Sequence, residues 1–439
     1  MDINNTNIEL NDDFKEALHL MEDTNKNVFL TGRAGTGKST LLQCFRDNTK
    51  KNVAVVAPTG VAALNVQGQT IHSFFSFHIG ITVNQIRRAP AYRKAIYKKI
   101  DTLIIDEVSM VRADLLDCID AFLRLNGPNK KLAFGGIQMI FVGDLYQLPP
   151  VVPLEEVEIF EIYYKGPYFF NARVFENYSV GLFNKPPFHL AELKKVYRQK
   201  DAEFIKILDD VRIGKATEEQ LATINKKVDQ NFSGSFDNFY IHLTSTNFAA
   251  DRINIEKLSQ IEKKTHEFKG AIEGDFSKGY MPTSEILILK EGSQIMLLNN
   301  DSNKKWVNGD VGKIIKIKDG NIFVELSSGR NEVVVPYKWK RMRYFYNESE
   351  GHIDSEEAGS FTQYPIKLAW AVTIHKGQGK TFDKVIVDFG RGTFACGQSY
   401  VALSRCTSLD GLVLGTPLEQ RHIFTDERIK EFMERLEKK

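Results

Sequence analysis

The sequence predicts an α/β fold: two parallel-sheet units, with a small β-barrel inserted in the second. Three observations carry this. Four apolar runs in the N-terminal half do not alternate with polar residues: NVFLTG from Asn27, NVAVVAP from Asn52, TLIIDE from Thr102 and QMIFVGD from Gln138. Such runs suit strands buried on both faces of a parallel sheet, and helix-like stretches separate them. The pattern returns near the C-terminus in KVIVDFG and GLVLG. Between these regions GSQIMLL, DVGKIIKI, NIFVELSSG and NEVVVPY are short β-type runs broken by turn signals such as NNDSNKK and VNGD. They predict a barrel over about 300–364. The units then span 1–185, and 186–299 with 365–439.

Bulk properties bound the function. At 439 residues the chain exceeds one ordinary core. Net charge is +2, so any nucleic-acid binding needs a local groove rather than a global field. Cys44, Cys118, Cys396 and Cys406 lie far apart, which argues against a disulfide framework or a zinc site and fits a reducing cytoplasm. The start, MDINNTNIELNDD, reads as neither a secretory signal nor a transit peptide. No apolar run is long enough to predict a membrane span.

In an open α/β sheet ligands gather at the carboxyl ends of the strands. The first run ends in Gly32-Arg-Ala-Gly-Thr-Gly37-Lys38-Ser39, a complete GxxxxGK[ST]. Its glycines, with Gly35, Thr36, Gly37 and Thr40, let backbone N–H groups face phosphate oxygens. Lys38 reaches the β- and γ-phosphates, and the Ser39 hydroxyl suits Mg²⁺. The third run ends in Asp106-Glu107. Asp106 suits the Mg²⁺ water shell, and Glu107 suits a base that polarises the attacking water. The fourth ends in GDLYQLPP, where Gln147 reads either as a γ-phosphate sensor or as a polar loop residue.

A second glycine-rich stretch, WAVTIHKGQGKT, ends in Gly379-Lys380-Thr381. A phosphate loop needs glycine where Ile374 stands, so this is not a second one. Its hydroxyl, imidazole and ammonium groups suit phosphate oxygens without reading bases.

The runs TGRAGTGKST, APTGVAALNVQGQTIHSFF, IIDEVSM and FGGIQMIFVGDLYQLPPV resemble helicase superfamily one. Within it they are most similar to the petite-integration-frequency (Pif) family of 5′-to-3′ DNA helicases. The segment ending PNKKLAFGGIQ resembles that family's signature, and the match runs from about Gly32 to Gly415. The resemblance implies two RecA-like motor domains with ATP and Mg²⁺ in the cleft between them. It implies that Arg198 and Arg405 act as arginine fingers, and that the stretch Gly377–Gly379 links the strand grip to the nucleotide, with Gly379 facing it. Thr373, His375 and Lys376 would grip single-stranded DNA from one side. Pro58, Thr59, Gly60 and Val61, with Thr70, His72 and Ser73, would grip it from the other. Residues 64–78 would form a small wedge.

An upstream glutamine that reads adenine is usual in this superfamily, but Phe14 and Lys15 stand in its region. YKWKRMRYFY reads as a strand-binding ribbon or as a solvated edge, NESEGHIDSEEAGS as a mobile acidic loop, and TDERIKEFMERLEKK as an amphipathic helix docked on the body. The resemblance further implies forked, G-quadruplex and RNA–DNA hybrid substrates, and roles in DNA repair, recombination and telomere maintenance. It also implies a monomer that can self-associate on DNA, in the bacterial or viral cytoplasm near the nucleoid. Two rival classes stay open: an ATP-gated translocase that leaves duplexes intact, and an NTP-dependent switch.

Overall fold

The computed structural model describes residues 11–176, 187–199, 201–232, 238–389 and 395–438. Most of the start that was read for targeting signals lies outside these residues. Strands β1 (Val28–Gly32), β2 (Val53–Ala57), β3 (Gln69–Thr70), β4 (Thr102–Ile105), β5 (Gln138–Val142) and β6 (His189–Leu193) form one parallel sheet. Its order is β3-β2-β4-β5-β1-β6. Every residue of β1, β4 and β5 is buried, so the predicted apolar runs serve both faces. Val28 and Leu30 point to one side, where helices α1 (Asp12–Glu22) and α2 (Lys38–Asn48) pack with Phe14, Leu18, Leu41 and Phe45. Phe29 and Phe141 point to the other, into an aromatic core that Phe169, Phe188 and Phe432 complete.

The predicted boundary at 185/186 needs correction. β6 pairs in parallel with β1, Leu30 opposite Ala191, so the first sheet closes at Leu193. The second sheet starts with β7 (Ile241–Thr244). The chain then leaves it through β8 (Thr265–Lys269), β9 (Ala271–Gly274), β10 (Ile286–Lys290), β11 (Gln294–Leu297), β12 (Val311–Lys318), β13 (Asn321–Leu326), β14 (Asn331–Val334), β15 (Tyr337–Asn347), β16 (His352–Gln363) and β17 (Ile366–Leu368). It returns as β18 (Ala371–Thr373), β19 (Val385–Val387) and β20 (Leu412–Leu414), giving a parallel sheet of order β18-β7-β19-β20.

The inserted β region is therefore wider than 300–364. A five-stranded sheet, β14-β13-β12-β11-β17, draws its flanking strands from 294–297 and 366–368. β15 and β16 leave it and join β9 in a separate sheet. The acidic run expected as a mobile loop is instead largely β16. Its carboxylates answer the basic residues of β15: Glu356 pairs with Arg343, and Glu357 lies 3.0 Å from Lys338 and 3.2 Å from Lys340. Opposite charges facing across an antiparallel pair stabilise it. The same pairing, with Arg341 on Asp275, leaves the β15 cations engaged rather than presented as a free ribbon.

This hairpin lies on the first unit. Tyr344 is buried against Phe74 and its hydroxyl accepts from Val55 N–H at 3.2 Å. Residues 64–78 do not project as a separate wedge here. Gln69–Thr70 pairs with the edge of the first sheet, and Phe74 and Phe75 are fully buried because their rings fill its core. At the C-terminus, helix Glu427–Glu437 buries Ile429, Phe432, Met433 and Leu436. Phe432 stacks on Phe170 at 4.2 Å, so the chain's end docks back on the first sheet.

Candidate nucleotide site and strand-binding loops

A cleft of about 710 Å³ opens between the two sheets. Its floor is the loop between β1 and α2. Gly35 and Gly37 both have positive φ, at 82° and 89°. A Cβ on Gly35 would sit 2.4 Å from Arg198 Cβ, so glycine is required there for backbone shape and for space. Gly37 caps α2, whose first residue is Lys38, and so the N–H groups of that helix end face the cleft. Thr36 spends its hydroxyl on Arg33 carbonyl at 3.0 Å, holding the loop. Lys38 Nζ donates to the carbonyls of Gly32 and Arg33 at 2.6 and 3.1 Å. Burial lowers its proton affinity, against the pull of Asp144, Glu107 and Asp106. Ser39 and Thr40 line the same cleft.

Asp106 and Glu107 stand at the end of β4. Burial raises both proton affinities; the Glu107 charge adds to the shift at Asp106, while Lys38 and Arg405 oppose that at Glu107. Glu107 has φ 51° and ψ 44°, a conformation rare for a residue with a side chain and characteristic of functional sites. Ser39 and Asp106 offer only oxygen, the donor type Mg²⁺ takes, so the set fits that ion. When bound with ATP, Mg²⁺ neutralises charge on the phosphate oxygens.

The second unit closes the cleft. Arg405 is 1% exposed, and its guanidinium donates to the carbonyls of Val401 at 2.8 Å, Lys380 at 3.3 Å and Gly377 at 3.4 Å. Burial, then Arg198, pushes it down to about 9. Arg198 donates to Gly379 carbonyl at 3.2 Å and Ser404 carbonyl at 3.3 Å. Both candidate fingers therefore rest on the loop after β18. From that loop Gln378 Nε2 donates to Glu107 Oε2 at 3.3 Å and to Gln147 Oε1 at 3.2 Å. Gln147 in turn donates to Asp144 Oδ2 at 3.4 Å. One amide thus joins the expected base, the expected sensor and the second unit.

The expected strand contacts lie on loops at the carboxyl ends of parallel strands. Pro58 follows β2, and Thr59 caps the helix Gly60–Asn65, accepting from Ala62 N–H at 3.3 Å. Gly60 is pressed against Gly279: a Cβ there would sit 2.2 Å from its carbonyl oxygen. Val61 is exposed. Thr70 caps the helix Ile71–Phe75 and meets Tyr280 hydroxyl at 2.9 Å. Ser73 Oγ accepts from Arg341 at 2.6 Å. Thr373 ends β18 and accepts from Lys376 N–H at 3.2 Å. His72 and His375 are half-buried, and withdrawal from water lowers both imidazoles, with His78 adding to the effect at His72. Lys376 is exposed.

Comparison with known proteins places this geometry. The PIF1-like helicase family model matches residues 9–222. ATP-dependent DNA helicase Pif1 of Bdellovibrio bacteriovorus is 33% identical, over 98% of this chain and 93% of its own length. The chain belongs to the Pif1-like helicase family. It is accordingly an ATP-dependent DNA helicase, an enzyme that binds DNA and couples ATP hydrolysis to its unwinding. The zebrafish (Danio rerio) PIF1 helicase is 34% identical over 88% of this chain, which spans 58% of that protein. A crystal structure of Bacteroides sp Pif1 with ADP-AlF4 superposes with a TM-score of 0.89, 38% identity and coverage of 98% of this chain and 97% of that one. The same Bacteroides helicase bound to single-stranded DNA gives 0.68 at 37% identity, with coverage of 98% and 97%. Among the described residues no helix is long and apolar enough to cross a membrane.

Several residues of this Pif1-like site escaped the sequence reading. Phe14 and Tyr197 line the cleft as aromatic walls, and Phe14 would touch a Cβ on Gly37 at 3.1 Å. Phe14 thus stands where the missing glutamine put adenine contacts in doubt, and offers a stacking face. Asp144 is fully buried with Arg212, 2.9 Å apart, tying the end of β5 to the helix Ala202–Arg212. The adjacency of Gly143-Asp144 to Gln147 was the available signal for Asp144. Nothing in the local sequence signals Arg212.

Proposed function

We propose that this helicase moves 5′-to-3′ on single-stranded DNA, with two RecA-like motor units that close on ATP and open after hydrolysis. Lys38, Arg198 and Arg405 stabilise charge on the γ-phosphate, Glu107 orients the attacking water, and Gln147 senses the phosphate. Gly35, Thr36, Gly37, Ser39, Thr40 and Gly379 line the nucleotide, and Ser39 with Asp106 holds Mg²⁺. Thr373, His375 and Lys376 grip the strand on one side. The loops Pro58–Val61 and Thr70–Ser73 grip it on the other.

The observation that carries this reading is the Gln378 bridge. The loop that bears His375 and Lys376 also touches Glu107 and Gln147, at 3.3 and 3.2 Å. A strand that moves this loop changes the setting of the catalytic base, which is the coupling a motor needs. The lower similarity to the DNA-bound Bacteroides relative, 0.68 against 0.89, supports a rearrangement of the units on DNA. Forked DNA, G-quadruplex and RNA–DNA hybrid are substrates of the same grip, which reads backbone rather than bases. A monomer is the working unit.

DNA-stimulated hydrolysis tests the coupling. Single-stranded DNA is expected to raise ATP turnover, and the Thr373→Ala/His375→Ala double variant to lose most of that rise. Equal stimulation in the double variant would remove the loop from the mechanism.

A further inference from the structure

Three lysines meet at the seam between the five-stranded sheet and the loop after β18. β17 carries Lys367 opposite Met296 and Ile366 opposite Leu297. Leu297 donates to Asp310 carbonyl at 2.8 Å and accepts from Gly309 N–H at 2.9 Å. The turn so fixed also carries Asn308, whose Oδ1 accepts from Lys380 Nζ at 2.7 Å. A Cβ on Gly309 would lie 3.6 Å from Lys380 Cβ, so the turn lies flat against the lysine stem. Lys367 and Lys380 are half-buried, while Lys376 is exposed and opens the cluster to the surface.

This arrangement is costly as it stands. Withdrawal from water, then Lys380 and Lys376, pushes the Lys367 ammonium well below its ordinary range, and withdrawal from water lowers Lys380 to about 8. Among the described residues no carboxylate contributes at either position. The chain has 56 acidic residues against 58 basic ones, so a shortage of acids does not explain it. Gathered cations withdrawn from water are stabilised when an anion joins them. Each ammonium has three donors, and the Asn308 amide carries N–H donors beside the oxygen that Lys380 engages.

We propose that Lys367, Lys376, Lys380 and Asn308 form a pocket for one phosphate group, and that its occupant is a phosphodiester of the translocated strand. The assignment rests on the reading that Thr373, His375 and Lys376 grip that strand. The pocket reaches the ATP cleft directly, because Arg198 and Arg405 hold the carbonyls of Gly379 and Lys380 at 3.2 and 3.3 Å. A phosphate drawn to Lys380 pulls on the backbone that the two arginines hold.

The test is the salt dependence of binding to a short single-stranded oligonucleotide. Loss of each phosphate contact lowers the slope of log affinity against log salt by about 0.7. The Lys367→Met/Lys380→Met variant is expected to lower it by about 0.7, the share of the one phosphate, and the Lys367→Arg/Lys380→Arg variant to keep it. An unchanged slope in the methionine variant, with weaker binding in Lys376→Ala and His375→Ala, would overturn the pocket and leave the strand grip standing. Unchanged binding in those two alanine variants as well would overturn the grip and the pocket together. Inorganic phosphate supplies the other arm. If it raises the melting temperature of the wild type more than that of the methionine variant, whose phosphate loop is intact, while the DNA slopes agree, the occupant is free phosphate and the strand assignment is wrong. Should the methionine variant fail to fold, the unmodified chain is measured against oligonucleotides carrying one neutral methylphosphonate linkage each. A register with a lower slope that the arginine variant shares supports the pocket; no such register overturns it.

Discussion

Glu107 sits in a left-handed backbone conformation between Asp106 and a buried 3₁₀ turn, where burial raises its proton affinity and Lys38 and Arg405 oppose that only in part. That setting separates binding from chemistry. Glu107→Gln keeps the shape and the hydrogen bond to Gln378 but removes the proposed base, so ATP and DNA binding are expected to persist while turnover falls by about 10²–10⁴. Lys38→Ala removes charge stabilisation instead and is expected to abolish hydrolysis. Steady-state turnover beside nucleotide binding separates the two, and loss of ATP binding in Glu107→Gln would mean a structural role. The strand side carries a pH signature. His72 and His375 are both lowered by withdrawal from water and so are neutral at pH 7. Phosphate favours the imidazolium, so binding takes up protons, and affinity for single-stranded DNA is expected to rise several-fold from pH 8 to pH 6. Binding titrations at the two values check this, and the His72→Ala/His375→Ala variant should weaken the dependence, leaving the share that the lowered Lys367 and Lys380 contribute.

At the scale of elements, the helix Ala202–Arg212 is joined to the end of β5 by a pair that is almost wholly buried, with side-chain exposures of 8% and 0%. Arg212→Ala leaves Asp144 charged and unpartnered and is expected to cost about 3–5 kcal/mol, read in a urea melt. Burial opposes the Asp144 charge, but Arg212 and Lys38 outweigh it and depress its proton affinity. The stability this gives is present above the ordinary aspartate value of about 4 and is lost as pH falls through the lower folded value. A Tm unchanged by the substitution would remove the pair from the account. Elements of this kind mark the limit of the sequence. β1, β4 and β5 were legible because strands buried on both faces must be apolar throughout. β6 was not, because HLAEL is an edge strand with only Ala191 and Leu193 buried. The β15–β16 hairpin was misread because its acids look solvated in one dimension and meet Arg343, Lys338 and Lys340 only across the ladder. The glycine loop and the acidic pair that line the cleft were legible from local spacing, and the link through 377–379 was expected from the resemblance; the aromatic wall at Phe14 and the partner of Asp144, Arg212, were not, since their partners lie far along the chain.

At the scale of the molecule, the cleft and the proposed strand grip share one piece of backbone, residues 373–380. Its carbonyls hold both arginines, its amide side chain holds Glu107 and Gln147, and its Lys380 donates to Asn308 of the inserted region. The hairpin of that insert lies on the first unit through Tyr344 and Arg341, and Arg341 occupies the Ser73 hydroxyl that the strand would use. On the proposed grip, DNA would compete with this contact between units. The most direct measurement of this account is strand separation on two duplexes, one with only a 5′ single-stranded tail and one with only a 3′ tail, each with and without Mg·ATP. The account predicts ATP-dependent unwinding confined to the 5′-tailed duplex; unwinding from the 3′ tail, or none from either while DNA still stimulates hydrolysis, would contradict it.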